Sequence, residues 1–185
     1  MSVFGDGLEA AVHKAFTRPA PKNAGAQMRY LVQQLKNTKA VAQMLRVSQR
    51  TVERYVKDQI KKPRPDLAAR LEREVKKRWQ PQIRAKARQK AATTGGIVLD
   101  TRARIGYTAP IGSTDEDRIR HLTVALPPQY AARLFEAQEQ GATEQRLREI
   151  VAEGLKDVYF QDGGRRAGQL EEVRFTDIEH LEFDL

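Results

Sequence analysis

The sequence predicts an α+β protein, mainly α. An N-terminal helix-turn-helix bundle with a basic helix is followed by a small C-terminal region of β-hairpin and paired helices. Three observations carry that expectation. Apolar residues recur at helical spacing through most of residues 3–93. After Thr93-Thr94-Gly95-Gly96, small residues with little to pack, the period changes to alternation. The charge also changes sign there. Residues 1–93 hold 22 Lys/Arg against 7 Asp/Glu, net +15, and residues 94–185 hold 11 against 17, net −6, within the total of +9. Two domains are therefore expected, 1–93 and 94–185, and the first suits a polyanionic partner such as DNA.

Taken in order, residues 3–16 can form a short helix, ended by Pro19 and Pro21. A second helix, from about Ala24 to Lys36, places Met28, Leu31 and Leu35 on one face. The stretch from Thr38 to Lys57 has the form of a helix-turn-helix, in which Ala42, Leu45, Val47, Val52 and Tyr55 are the buried positions. Thr38 is expected to cap the first of its helices and Ser48 the second. The candidate DNA contacts are Ser48, Gln49, Arg50, Thr51, Arg54 and Lys57, with Lys61 and Lys62 just beyond. Amide and guanidinium groups near a helix N-terminus match base edges, and cations around them match phosphates. The pattern A-x-x-L-x-V-S-x-x-T-V-x-R resembles the helix-turn-helix of bacterial repressors and recombinases. Arg46 stands where that pattern has its turn glycine, so the turn must avoid a positive φ or bear a cost of roughly 1 kcal/mol.

From Asp66 to Trp79, the positions Leu67, Leu71, Val75 and Trp79 repeat every four residues, a sign of an amphipathic helix. Pro81 should break or kink it. Arg84, Lys86, Arg88 and Lys90 follow, and beside a helix-turn-helix they are expected to touch phosphates independently of sequence. Beyond Gly96, Ile97-Val98-Leu99 and Ile105-Gly106-Tyr107 read as strand, interrupted by Asp100 and two arginines. His121 to Leu126 alternates cleanly. The segment TAPIGSTDEDR makes a loop between them. Pro128 opens a helix to about Gln140, and Thr143 caps another carrying Leu147, Ile150, Val151, Leu155, Val158 and Tyr159. A strand followed by two such helices resembles the ribbon-helix-helix of small dimeric repressors. That likeness implies strand pairing between subunits, and hence self-association through residues 121–126. The acidic stretch from Gln169 to Leu185 reads equally as an edge strand or a partner-binding tail.

Several chemistries are missing from the sequence. With no cysteine there are no disulfides and no thiolate metal sites. Neither a HExxH pattern nor a phosphate-binding glycine loop occurs. His13, His121 and His180 lie far apart in the sequence, so no metal site is expected. Asp115, Glu116 and Asp117 read as a solvated loop. No apolar run approaches the roughly 20 residues of a membrane span, and residue 1 does not open a signal peptide. A cytoplasmic protein associated with the nucleoid is expected.

The helix-turn-helix, the basic helix, the Gly-Ser-Thr-Asp loop and the acidic end together resemble the terminal proteins that cap the telomeres of linear bacterial chromosomes and plasmids. The likeness extends over essentially the whole chain. It implies covalent attachment to the DNA 5′ end and protein priming of the recessed telomere. The implied partners are a telomere-binding protein that recruits it to the 3′ overhang and a DNA polymerase. The polymerase would supply Mg2+ and the deoxynucleotide, so the chain would need no cofactor of its own and would not itself be an enzyme. The threonine ester of that family falls at Thr114, with Ser113, Thr108 and Tyr107 as neighbouring hydroxyls. A dimeric helix-turn-helix transcription regulator is the alternative.

Overall fold

The computed structural model describes residues 2–108, 115–161 and 172–185. Among these, eight α-helices and one three-stranded antiparallel sheet confirm a mixed, mainly helical protein. The chain forms two compact units, but they do not divide at Thr93. Thr17–Pro81 makes a helical unit, and Met1–Phe16 joins Gln82–Leu185 in a sheet unit. The helical unit is thus an insertion within the sheet unit. The charge follows this division: residues 17–81 hold 17 Lys/Arg against 5 Asp/Glu, net +12, and the remainder is net −3.

In the sheet unit, α1 (Val3–Lys14) buries Phe4, Leu8, Ala11 and Val12. The Ser2 hydroxyl caps its start by accepting from Gly5 N. The Glu144 carboxylate accepts from Phe4 N at 2.7 Å and from the Ser2 hydroxyl at 2.7 Å. Strand β1 (Ile97–Thr108) is central, flanked by β2 (Asp115–Leu126) and β3 (Glu172–Asp184). Instead of two short strands, β1 is continuous. Ile97, Leu99, Thr101, Ala103 and Ile105 face inward, while Val98, Asp100, Arg102 and Arg104 alternate with them on the open face. The sheet's inner face packs on α1, α7 (Pro128–Glu139) and α8 (Glu144–Leu155) in one apolar core. Thr143 caps α8 as expected, accepting from Arg146 N.

Of the two readings of the acidic C-terminal stretch, its described residues take the edge strand, β3, with the alternation interrupted by a bulge around Asp177 (φ 44°). One expectation for this region changes. Strand β2 pairs within the chain, Leu126 opposite Ile97 and His121 opposite Arg102, whereas a ribbon-helix-helix pairs its strands between subunits. Leu122, Val124 and Leu126 are already covered by the unit's own core, so the uncovered apolar face on which the expectation of self-association rested does not exist.

Helix α6 (Pro81–Lys90) contributes no buried apolar residue and is held by charge instead. Glu9 accepts from Arg84 at 2.8 Å and from Arg88 at 2.9 Å, across 75 and 79 residues of sequence. Arg88 also reaches Glu139 and lies over the Phe135 ring. The arginine side chains are only 12% and 17% exposed, so they are committed to this unit and are not the free phosphate contacts expected of a basic helix. Removing Glu9 leaves the largely buried Arg84 guanidinium without a carboxylate among the described residues, and Arg88 with Glu139 alone. Glu9→Ala should lower unfolding free energy by about 1–3 kcal/mol, read as a loss of thermal stability in calorimetry of the full chain.

Candidate nucleic-acid interface

The helical unit is built from α2 (Ala24–Leu35), α3 (Thr38–Leu45), α4 (Gln49–Val56) and α5 (Pro65–Arg78). Met28, Leu31, Val41, Ala42, Leu45, Val52, Tyr55, Leu67, Leu71 and Val75 form its core, and Val47 packs against it half-buried. The helix-turn-helix core read from the sequence is therefore the one that forms. One cap differs. Asn37, extended at φ −154°, is the residue that caps α3, its side-chain oxygen accepting from Lys39 N at 2.8 Å. Thr38 is already helical, which frees its hydroxyl for another partner. Ser48 caps α4 as expected, accepting from Thr51 N at 3.1 Å.

The turn takes the strained option. Arg46 is left-handed (φ 54°, ψ 48°), and Val47 N closes back on Ala42 O at 2.9 Å. That bond satisfies a carbonyl at the end of α3, as a glycine normally would in this motif. At the other end of α4, Gly25 lets α2 approach closely. A Cβ there would lie 2.1 Å from an Asp58 carboxylate oxygen and 3.1 Å from Tyr55 O. Arg29 spans the same crossing, donating to Asp58 at 2.7 Å and to Val56 O at 3.0 Å.

This frame gives α4 a sharply divided surface. Val52 and Tyr55 are buried, while Gln49, Arg50, Arg54 and Lys57 are exposed. Lys61 and Lys62 are exposed just beyond the helix. Arg50, Arg54, Lys57, Lys61 and Lys62 have no ion-pair partner among the described residues. Ser48 and Thr51 are used differently: their hydroxyls bond to each other at 2.8 Å, so both serve the cap first. The fold adds Lys22, which nothing local in the sequence singled out. It lines a hollow of about 390 Å3 with Asn23, Gln27, Lys61 and Lys62.

Of the priming loop, Thr114, Ser113, Pro110 and Gly112 lie outside the described residues. Thr108 and Tyr107 are within β1, half-buried, with the Tyr107 ring edge-on to Phe160 at 5.3 Å. Residues 109–114 connect the end of β1 to the start of β2. Asp117 pairs with Arg174 at 3.2 Å across Gly106.

The sheet brings together two histidines that are far apart in the sequence. His121 Nε2 and His180 Nε2 each lie 3.3 Å from Asp100 Oδ1, and Thr123 donates to Asp100 Oδ2 at 2.6 Å. The Thr123 hydrogen bond, then that of His121, holds the Asp100 carboxyl below its ordinary value. No group of three or more potential ligands able to hold a metal occurs among the described residues. No helix among them is long and apolar enough to cross a membrane. No protein-family model, curated protein or solved structure matches the chain.

A left-handed arginine is an identifiable weak point in this unit. Arg46→Gly should raise its stability by about 1 kcal/mol, because glycine has no Cβ to clash in that conformation. Paired thermal melts of the two proteins check this, with a higher midpoint expected for the glycine variant.

Proposed function

We propose that the chain is a DNA-binding terminal protein that primes synthesis at DNA ends. The observation that carries the DNA-binding part is α4. It is the second helix of a helix-turn-helix in a unit of net +12, and its exposed cations Arg50, Arg54 and Lys57 pair with no carboxylate among the described residues. Arg50 and Arg54, one turn apart, suit base edges in the major groove, with Gln49 beside them. Lys57, Lys61, Lys62 and Lys22 suit the backbone, where each phosphate contact steepens the salt dependence.

The priming part rests on the resemblance to telomere terminal proteins. Of the priming loop's surroundings only the two flanking strands, β1 ending at Thr108 and β2 beginning at Asp115, are described. The chemistry asked of this chain is small. The Thr114 hydroxyl oxygen attacks the α-phosphorus of a deoxynucleoside triphosphate. A phosphoester bond forms, the bond to the β-phosphate breaks, and pyrophosphate leaves. The hydroxyl proton passes to solvent or a base of the polymerase, whose two metal ions stabilise the attacking and leaving oxygens. The chain supplies the hydroxyl and the DNA anchorage. The partners are DNA, a telomere-binding recruiting protein and a polymerase, in the cytoplasm at the ends of the nucleoid DNA.

Two measurements separate the parts. Arg50→Ala and Arg54→Ala should each cost about 1–3 kcal/mol in binding to a selected duplex with helical content unchanged, and unchanged affinity for every sequence rules out α4. Thr114→Ala should abolish transfer of a labelled deoxynucleotide to the protein in the presence of polymerase, template and recruiting protein, with DNA affinity intact. Undiminished label moves the primer to another hydroxyl. A footprint on an internal operator, with no nucleotide left on protein recovered from nuclease-treated DNA, supports a transcription regulator instead.

A further inference from the structure

Gln49 opens α4, and both hydrogens of its amide are committed inside the helical unit. Its Nε2 donates to Thr38 Oγ1 at 3.2 Å and to Glu53 Oε1 at 3.0 Å. Thr38 could meet either end of an amide, since a hydroxyl donates or accepts. The ionised Glu53 carboxylate can only accept. With the amide turned over, its oxygen would face a carboxylate oxygen, and a charge-assisted hydrogen bond would give way to repulsion. Glu53 therefore fixes the sense of the amide, with nitrogen held and Oε1 left over. Gln49 is exposed, and its Oε1 has no partner among the described residues. Arg50 and Arg54 beside it can only donate.

We propose that Gln49 is a specificity-determining residue that accepts a hydrogen bond from the exocyclic amino group of a base, adenine N6 or cytosine N4, and that Glu53 is the positioning residue that makes it an acceptor. The proposal rests on reading α4 as the DNA-contacting helix. A free glutamine pairs with adenine through both ends of its amide. This one has no free N–H, so it cannot reach the purine N7 as a donor. Guanine O6 and thymine O4 would meet Oε1 as acceptor against acceptor. The arrangement also accounts for a carboxylate on a helix that faces DNA. Glu53 repels phosphate, yet it is half-buried and bound to Gln49 instead of projecting outward.

The test is duplex-library selection with the full chain at fixed salt, followed by affinities for the four base pairs at each position of the selected site. Wild type should favour adenine or cytosine over guanine or thymine at one position by roughly fivefold to tenfold. Glu53→Ala frees the amide to pair with adenine through both its ends, so adenine alone should stay favoured and cytosine should lose its advantage over guanine and thymine. Glu53→Lys offers only a donor, turns the amide over and should invert the preference. Its added charge tightens binding to every sequence alike and leaves base ratios untouched. Glu53→Gln can donate as well as accept, so it no longer fixes the sense of the amide and should weaken the preference without inverting it. Preferences at positions read by Arg50 and Arg54 should not move, whereas a loosened helix would weaken them all. If Glu53→Ala and Glu53→Lys keep the wild-type preference, the inference falls and DNA reading by α4 stands. If wild type selects no sequence, both fall.

Discussion

The Glu9 carboxylate, shared by Arg84 and Arg88, is the interaction on which the sheet unit's closure depends. The first helix of that unit is separated from the rest of it by the whole helical unit. Bringing the ends of so long an excursion together costs loop-closure entropy, although that cost grows only slowly with length. The opposing terms are on α1 itself. Phe4, Leu8 and Val12 are fully buried, and Gly7 sits where a Cβ would press on Leu181 and Phe183 at 3.1 Å. Apolar burial of this kind attracts without direction. Arg84 Nη2, which donates to both Glu9 oxygens, and the single contact from Arg88 add direction, and they fix α6 where it has no apolar face of its own. The helical unit ties its own two ends together as well, by Thr17 N to Gln80 Oε1 at 3.1 Å and Gln80 Nε2 to Thr17 Oγ1 at 3.1 Å.

This arrangement changes what the charge pattern means. Read along the chain, Arg84 and Arg88 extend a basic half. In the fold they neutralise Glu9 and Glu139. The cations left without carboxylates among the predicted contacts, Arg50, Arg54, Lys57, Lys61 and Lys62, belong to the inserted unit. Polyanion attraction depends on such concentrated, uncompensated charge more than on the chain's total. The sheet unit, net −3, has no comparable excess.

What the sequence made legible was whatever has a local period or a local cap. The core from Ala42 to Tyr55, the Ser48 and Thr143 caps and the four-residue repeat of α5 all appear where periodicity places them. The choice of Asn37 over Thr38 as a cap was not legible, because adjacent residues offered the same oxygen chemistry and only the backbone angles decide between them. The continuity of β1 was hidden because its open face carries Asp100, Arg102 and Arg104, which look like interruptions until their neighbours' burial is known. A bulge disguised the period of β3. The Glu9 network, the meeting of His121 and His180 at Asp100, and the place of Lys22 beside Lys61 all join residues with no sequence signal between them. Thr114, the hydroxyl proposed for priming, lies outside the described residues, so that proposal rests on the resemblance alone.

The ends of α2, α3 and α4 show a further compromise. Each closes at a non-glycine residue with positive φ: Lys36 at 51°, Arg46 at 54° and Asp58 at 54°. A side chain in that region costs about 1–2 kcal/mol relative to right-handed helix. A cation beside the carbonyl end of a helix recovers only about 0.3–1 kcal/mol when exposed. For Lys36 and Arg46 the strain is therefore larger than the dipole gain, and glycine would serve folding better. Asp58 has a separate justification, since its carboxylate anchors Arg29 across the crossing of α2 and α4. Lys36 and Arg46 have no such partner among the described residues. What they add, and glycine could not, is positive charge at two exposed corners of a unit that already carries a large excess. Folding alone does not select for that. A phosphate backbone running along the same unit would.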